Sequence, residues 1–155
     1  MIASFIATGR LYGVGIGSTL ANLRQNIICD FVDVVDEDGD SMRRDYGFIE
    51  FYLNLDQVWS VSGGAVELHR LAARSDVADR WRVAMGDDFA RYLAWDELRA
   101  ELERLPHPPV LEFVDQGDFL EYRSRATKVS VLVNNDHEER DGWLGHGDVW
   151  SIGLG

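Results

Sequence analysis

The chain of 155 residues has one cysteine, three prolines and no long apolar run, and it is short of basic residues. A lone Cys29 cannot close an intramolecular disulfide, so no disulfide framework supports this fold. Its place beside Ile27-Ile28 points to a buried, inert thiol rather than a nucleophile. The apolar stretch Met1–Ala7 has no basic leader and is too short for a signal core or a membrane span; it reads as a strand, and the expected setting is cytoplasmic. Fifteen Lys and Arg against 27 Asp and Glu give a net charge of −12. Binding phosphate needs a local surplus of cations, so nucleic acid and anionic membrane are disfavoured as partners and a cationic one is favoured.

With 46% apolar and 27% charged residues, the chain fits one compact domain, residues 1–155, able to bury a core. Arg43–Asn54 can be laid over Arg123–Asn134 at a shift of 80. The apolar positions Phe31, Val34, Ile49, Phe51, Tyr52 and Leu53 then fall on Leu111, Val114, Val129, Val131, Leu132 and Val133. Val58-Trp59-Ser60 and Val149-Trp150-Ser151 follow as a pair of landmarks, displaced by 91. The pattern predicts internal repeats over 1–74 and 95–155, joined by a helical linker over 75–94.

Within each repeat the order of elements is helix, then antiparallel strands. Gly13, Gly15 and Gly17 form a tight turn into an N-cap at Ser18 and a helix over 19–27. Strands follow over 31–35 and 42–53 around the Asp38-Gly39 hairpin step, then over 57–62 and 65–69. A helix over 76–85, capped by Ser75, carries Val77, Trp81 and Ala84 at helical spacing and stops at Gly86. Another over 96–105 is ended by Pro106, Pro108 and Pro109. The second set of strands covers 110–114, 120–133 and 149–154. The fold class is α+β: two tandem helix-plus-antiparallel-strand units, with helices covering one face of a curved sheet. The other face stays open, lined by some of Tyr46, Phe48, Tyr52, Trp59 and Trp150.

No residue cluster announces a reaction. Gly13–Gly17 lacks both the P-loop and the dinucleotide fingerprints, and no Lys or Arg follows it immediately. Ser60 and Ser151 have no identifiable His and acid partners. Asp136-His137-Glu138-Glu139 with His146 and Asp148 offers metal-ligand types, and a small metal-dependent hydrolase is the rival class, but the spacing matches no ligand pattern. A ligand-sensing or assembly module using the sheet groove is the third. The expectation is a non-enzyme without cofactor or metal. Tyr46 reads as strand core packed on a helix with its hydroxyl satisfied, and His69 as a hydrogen-bonded strand end. The candidate partner-binding residues are the acids Asp36, Glu37, Asp38 and Asp40 in one hairpin and Asp136, Glu138, Glu139 and Asp141 in the other half. Trp143 joins them as an aromatic anchor.

The segments Leu11–Ser18, Arg43–Phe51 and His69-Arg70-Leu71 together resemble small actinobacterial immunity proteins of polymorphic-toxin systems, over about the first half of the chain. The order glycine turn, short helix and antiparallel strands, twice over, is similar to the tandem architecture of beta-lactamase inhibitor protein. The first resemblance implies binding to a cognate protein toxin with a basic active-site surface, and neutralisation of that toxin.

Overall fold

The computed structural model describes residues 1–138 and 142–155. Among these the alternating segments form eight strands: β1 (Val32–Val35), β2 (Ser41–Asp45), β3 (Ile49–Leu55), β4 (Trp59–Val66), β5 (Glu112–Asp115), β6 (Phe119–Ser124), β7 (Val129–Asn134) and β8 (Val149–Leu154). Five helices accompany them: α1 (Ile2–Thr8), α2 (Leu20–Asn26), α3 (Leu68–Ala73), α4 (Ser75–Met85) and α5 (Trp95–Glu103). All eight strands join one antiparallel sheet in the order β1-β2-β3-β4-β8-β7-β6-β5, so the fold is mixed α+β. No helix among the described residues is long and apolar enough to cross a membrane.

Two four-stranded meanders meet where β4 lies against β8. Gly64 pairs with Leu154, Ala65 with Gly153 and Val66 with Ile152. Side chains here must be small because the backbones crowd: a Cβ on Gly63 would meet the Leu154 carbonyl oxygen of β8 at 2.7 Å, while one on Gly64 would meet the Glu50 carbonyl oxygen of β3, within its own meander, at 2.6 Å. Register shifts fall between Tyr52 and Leu53 in one meander and between Leu132 and Val133 in the other. At these bulges Val61 stands opposite Leu53, and Val149 opposite Val133. The Val-Trp-Ser tripeptides therefore occupy different places: Trp59 faces Leu55, whereas Trp150 is the extra residue of a bulge. The constant shift of 80 also breaks down in one strand. Ser41 faces Asn54 while Phe119 faces Asn134, because the turn Gln116–Asp118 is shorter than Asp36–Asp40, and Glu121 rather than Arg123 takes the place of Arg43.

Several elements differ from their sequence expectation for local reasons. The N-terminal segment is helix α1, with Ala3 and Ile6 buried three residues apart and Gly9 closing it at φ 66. A short, uniformly apolar run has no period to separate helix from strand. Thr19, not Ser18, caps α2 by accepting from the Asn22 N–H, while α4 has Arg74 at its N-cap. The Gly63-Gly64 pair lies inside β4 rather than at a turn. After Val66 the chain turns into α3, sending Leu68, Leu71 and Ala72 into the core, so His69 is helical and not a strand end. The segments 42–53 and 120–133 each split into two strands, at 46–48 and 125–128.

One face of the sheet supplies Met42, Ile49, Phe51, Leu53, Val61, Val66, Val129, Val131, Val133, Val149, Ile152 and Leu154 to a core shared with Phe5, Ile6, Leu23, Trp81, Leu98 and Leu102 from the helices. Trp81 of α4 is the hub. It is 1% exposed, meets Tyr46, Phe48 and Phe89 edge-on, and donates from Nε1 to the Tyr12 hydroxyl at 2.9 Å. That hydroxyl donates in turn to Asp87 at 2.6 Å. Tyr46 packs on a helix as expected, with its buried hydroxyl beside the Arg44 guanidinium. The crowding at the seam, where a Cβ on Gly63 would meet a carbonyl oxygen of β8, makes Gly63→Ala a specific test: the variant is expected to lose about 1–3 kcal/mol of stability in urea unfolding. A loss near zero would mean that the two meanders do not meet as closely as described.

Candidate functional site

The face opposite the core is defined by one unbroken row of cross-strand partners. Val32, Asp45, Glu50, Ala65, Gly153, Ser130, Arg123 and Glu112 follow one another from β1 to β5, one residue per strand. None of these eight belongs to the apolar core. The middle of the face is a trough, because Gly63 and Ala65 of β4 and Ser151 and Gly153 of β8 have little or no side chain to fill it. Tyr52, opposite Gly63, and Leu132, opposite Ser151, stand on either side.

Charge on this face is mostly paired. Glu50, with a side chain only 3% exposed, meets Arg70 of α3 at 2.8 Å and Arg43 at 3.8 Å. Arg70 also reaches Asp45 at 3.7 Å and donates to the Gly47 carbonyl at 3.2 Å. The Tyr52 hydroxyl donates to Glu50 at 3.0 Å; burial first, and then the Glu50 carboxylate, push its pKa up to about 12. In the other meander Glu121 is held by Arg123 and Gln116, and Glu112 by Arg125 at 2.8 Å. The face is thus a mixed ionic surface around a neutral trough, and not an anionic plate.

An aromatic cluster closes one end of the trough. Trp150 stacks on His69 with ring centroids 4.7 Å apart and planes 9° from parallel. It meets Phe119 edge-on at 5.4 Å and Trp143 at 5.5 Å. Trp143 is 52% exposed, and His69 Nδ1 lies 3.3 Å from Glu67. The bulge is what turns Trp150 here, since an extra residue re-aims the side chain while Val149 stays in the core.

The two acidic loops lie at opposite ends of the sheet. β1 and β7 run antiparallel in the strand order, so the turn after β1 and the loop after β7 leave from opposite ends. Asp36, Glu37, Asp38 and Asp40 are all exposed at one end. Asp36 spends its carboxylate on the turn, accepting from the Gly39, Asp40 and Ser41 N–H groups and from the Ser41 hydroxyl at 2.7 Å. The Ser41 hydroxyl is the largest influence holding its pKa below the usual carboxylate range. Asp136, Glu138 and Trp143 share the other end with Trp150; Glu139 and Asp141 lie outside the described residues. Of the residues offered for the open face, Tyr52 and Trp150 face it, whereas Tyr46, Phe48 and Trp59 pack with the core. Glu50, Arg70, Leu132, Ser151 and Gly153 were missed. The polar positions Glu50, Tyr52 and Asn54, alternating with Ile49, Phe51 and Leu53, carried a signal for the β3 side; the His69–Trp150 contact, remote in sequence, carried none.

Of the rival metal-ligand set, Glu139 lies outside the described residues. His137 stacks on His146 at 3.9 Å, but no group of three or more His, Cys, Asp or Glu able to hold a metal occurs among the described residues. A separate groove of about 360 Å³ lies away from the trough, between Ile28, Cys29 and Tyr46 on one side and Val77, Trp81 and Val83 on the other. Cys29 is free and half-buried there, and burial, reinforced by Asp30, pushes its thiol up to about 11. No protein-family model matches the chain, and no curated protein or solved structure matches it at a significant level. A thiol titrating above its ordinary range keeps less thiolate at neutral pH. Native Cys29 should therefore react with iodoacetamide at pH 8 roughly a hundredfold more slowly than in the urea-unfolded chain. Equal rates would show an open, ordinary thiol.

Proposed function

We propose that this protein is a binding module of the immunity or inhibitor type, which docks on a cognate toxin domain and neutralises it without catalysing a reaction. The observation that carries the proposal is the sheet face outside the core: a trough of small side chains, flanked by Tyr52 and Leu132 and ended by Trp150, Phe119 and Trp143. Seven strand spacings of about 4.8 Å by strands of roughly 20 Å give on the order of 700 Å². That is close to the roughly 800 Å² each partner contributes to a stable protein complex. Trp and Tyr at such a surface are the residue types that dominate binding energy when a partner dehydrates them.

In the same proposal the chain is two tandem helix-plus-meander units, 1–74 and 95–155, with the helices on the core face of a curved sheet. The matched bulges at Tyr52/Leu53 and Leu132/Val133, and the pairing centred on Ala65 and Gly153, support it. A cationic toxin surface would be drawn by the net charge of −12, with Asp136 and Glu138 bordering the aromatic end. The setting proposed is the cytoplasm.

Co-expression with the toxin-like product encoded beside this gene is the direct test, with growth rescue and a complex on sizing chromatography as the expected results. Neither rescue nor complex would overturn the proposal. Ser151→Arg, which fills the trough floor with a cation, should abolish the complex at unchanged melting temperature. Trp150→Ala should weaken it by about tenfold or more. Glu138→Lys should slow association several-fold at low salt with little change in dissociation, measured by stopped flow.

A further inference from the structure

The two edges of the sheet are not alike. β5 carries the ion pair Glu112–Arg125 at 2.8 Å and packs Phe113 on Tyr122 at 5.4 Å, so both signs of charge and a ring contact border it. All four residues of each edge strand are exposed, but β1 is the more apolar, with Val32 at 64%, Val34 at 49% and Val35 at 49%, and its one ion pair, Asp33–Arg44, is made with a fully buried guanidinium. Exposed apolar edge strands invite another strand, and natural proteins usually guard them with Lys, Pro, a bulge or an inward-pointing charge. Residues 31–35 contain no Lys or Pro, and the β1–β2 register has no shift. The single inward charge, Asp33, is already neutralised: its two oxygens accept from Nε and Nη2 of the fully buried Arg44 at 2.7 Å each. The guanidinium also lies 3.7 Å above the Phe31 ring. β1 is thereby pinned to β2 along its inner side, while its outer side keeps its hydrogen-bonding capacity.

The register identifies which groups those are. The Asp36 N–H donates to the Ser41 carbonyl, so this pair is hydrogen-bonded, and alternation makes Val34–Arg43 and Val32–Asp45 hydrogen-bonded pairs as well. Asp33 and Val35 then present their N–H and C=O groups to the open side. Around them stand Asp30, Asp36, Glu37, Asp38 and Asp40, all exposed, and no basic residue among positions 30–42. A second copy of this chain pairing through β1 would bring two such acidic segments together, at a Coulomb cost that a cationic strand would instead recover.

We infer that the β1 edge is a strand-addition site for an extended, Lys- or Arg-bearing polypeptide segment, held by main-chain hydrogen bonds to Asp33 and Val35 with its cations against the flanking acids. This surface is separate from the trough and does not depend on the toxin-binding proposal. The probe is a short synthetic peptide of alternating Lys and Val, with a Glu-Val peptide as control, added at low salt while backbone amide exchange is followed by NMR. With the Lys-Val peptide, exchange at Asp33 and Val35 should slow by about tenfold or more, and the Glu-Val peptide should leave it unchanged. Val35→Pro removes the open-side donor without touching a β1–β2 hydrogen bond, so the variant should keep its native amide spectrum and lose the protection. Unprotected amides with the Lys-Val peptide, equal protection by both peptides, or protection that survives in Val35→Pro would each overturn the inference. So would protection that rises with protein concentration alone, which would assign the edge to a second copy of the chain.

Discussion

Three residue pairs between β4 and β8 hold the architecture together, because they are the point at which two four-stranded meanders become one sheet. Gly63, Ala65 and Gly153 allow that approach, and the Leu154 carbonyl of β8 leaves no room for a larger side chain at Gly63. The seam also sets the phase of every strand. Side chains alternate between faces with a period of two, so a slip of one residue here would turn the whole apolar set of one meander outward. With the seam in register, the apolar sets of both meanders reach the same core, and the small and polar residues align into a row across all eight strands.

Charge in this molecule is divided between two tasks. The acids that lie on the sheet are matched by guanidinium groups: Glu50 by Arg70, Glu121 by Arg123 and Asp33 by Arg44. Buried or half-buried pairs of this kind fix geometry, since removing one partner leaves an uncompensated charge; their net contribution to stability is modest. Further acids cluster elsewhere, on turns at the two ends of the strands. Long-range attraction of a cation thus acts from the margins, whereas contact on the sheet face is decided at short range by the trough and its aromatic end.

Features set by neighbours in sequence were legible in the chain. Gly86 ends α4 in the left-handed conformation at φ 78, and the Asp38-Gly39 step makes its hairpin with Gly39 at φ 76. Val77 and Trp81 bury the helix face that their spacing indicated, and β8 spans the expected residues. The apolar segment Ile2–Ala7 and the double glycine of β4 misled, because the first reads equally well at either period and the second owes its glycines to crowding across a sheet rather than to a turn. The Val-Trp-Ser coincidence misled in the same way: identical tripeptides at Val58 and Val149 meet different partners once two bulges are counted.

Composition and local sterics by themselves determined the acidic balance, the mixed α+β class, the main turns and the ends of the longer helices, since each depends on residues within a few positions of one another. Tertiary structure alone decided that Asp36–Asp40 and Asp136–Glu138 sit at opposite ends of the sheet, and that Glu50 is capped by an arginine from α3. It also decided that His69 stacks on Trp150 beside Trp143. The stacking follows from the antiparallel closure of β4 on β8, which brings together groups about 80 residues apart that no local periodicity connects.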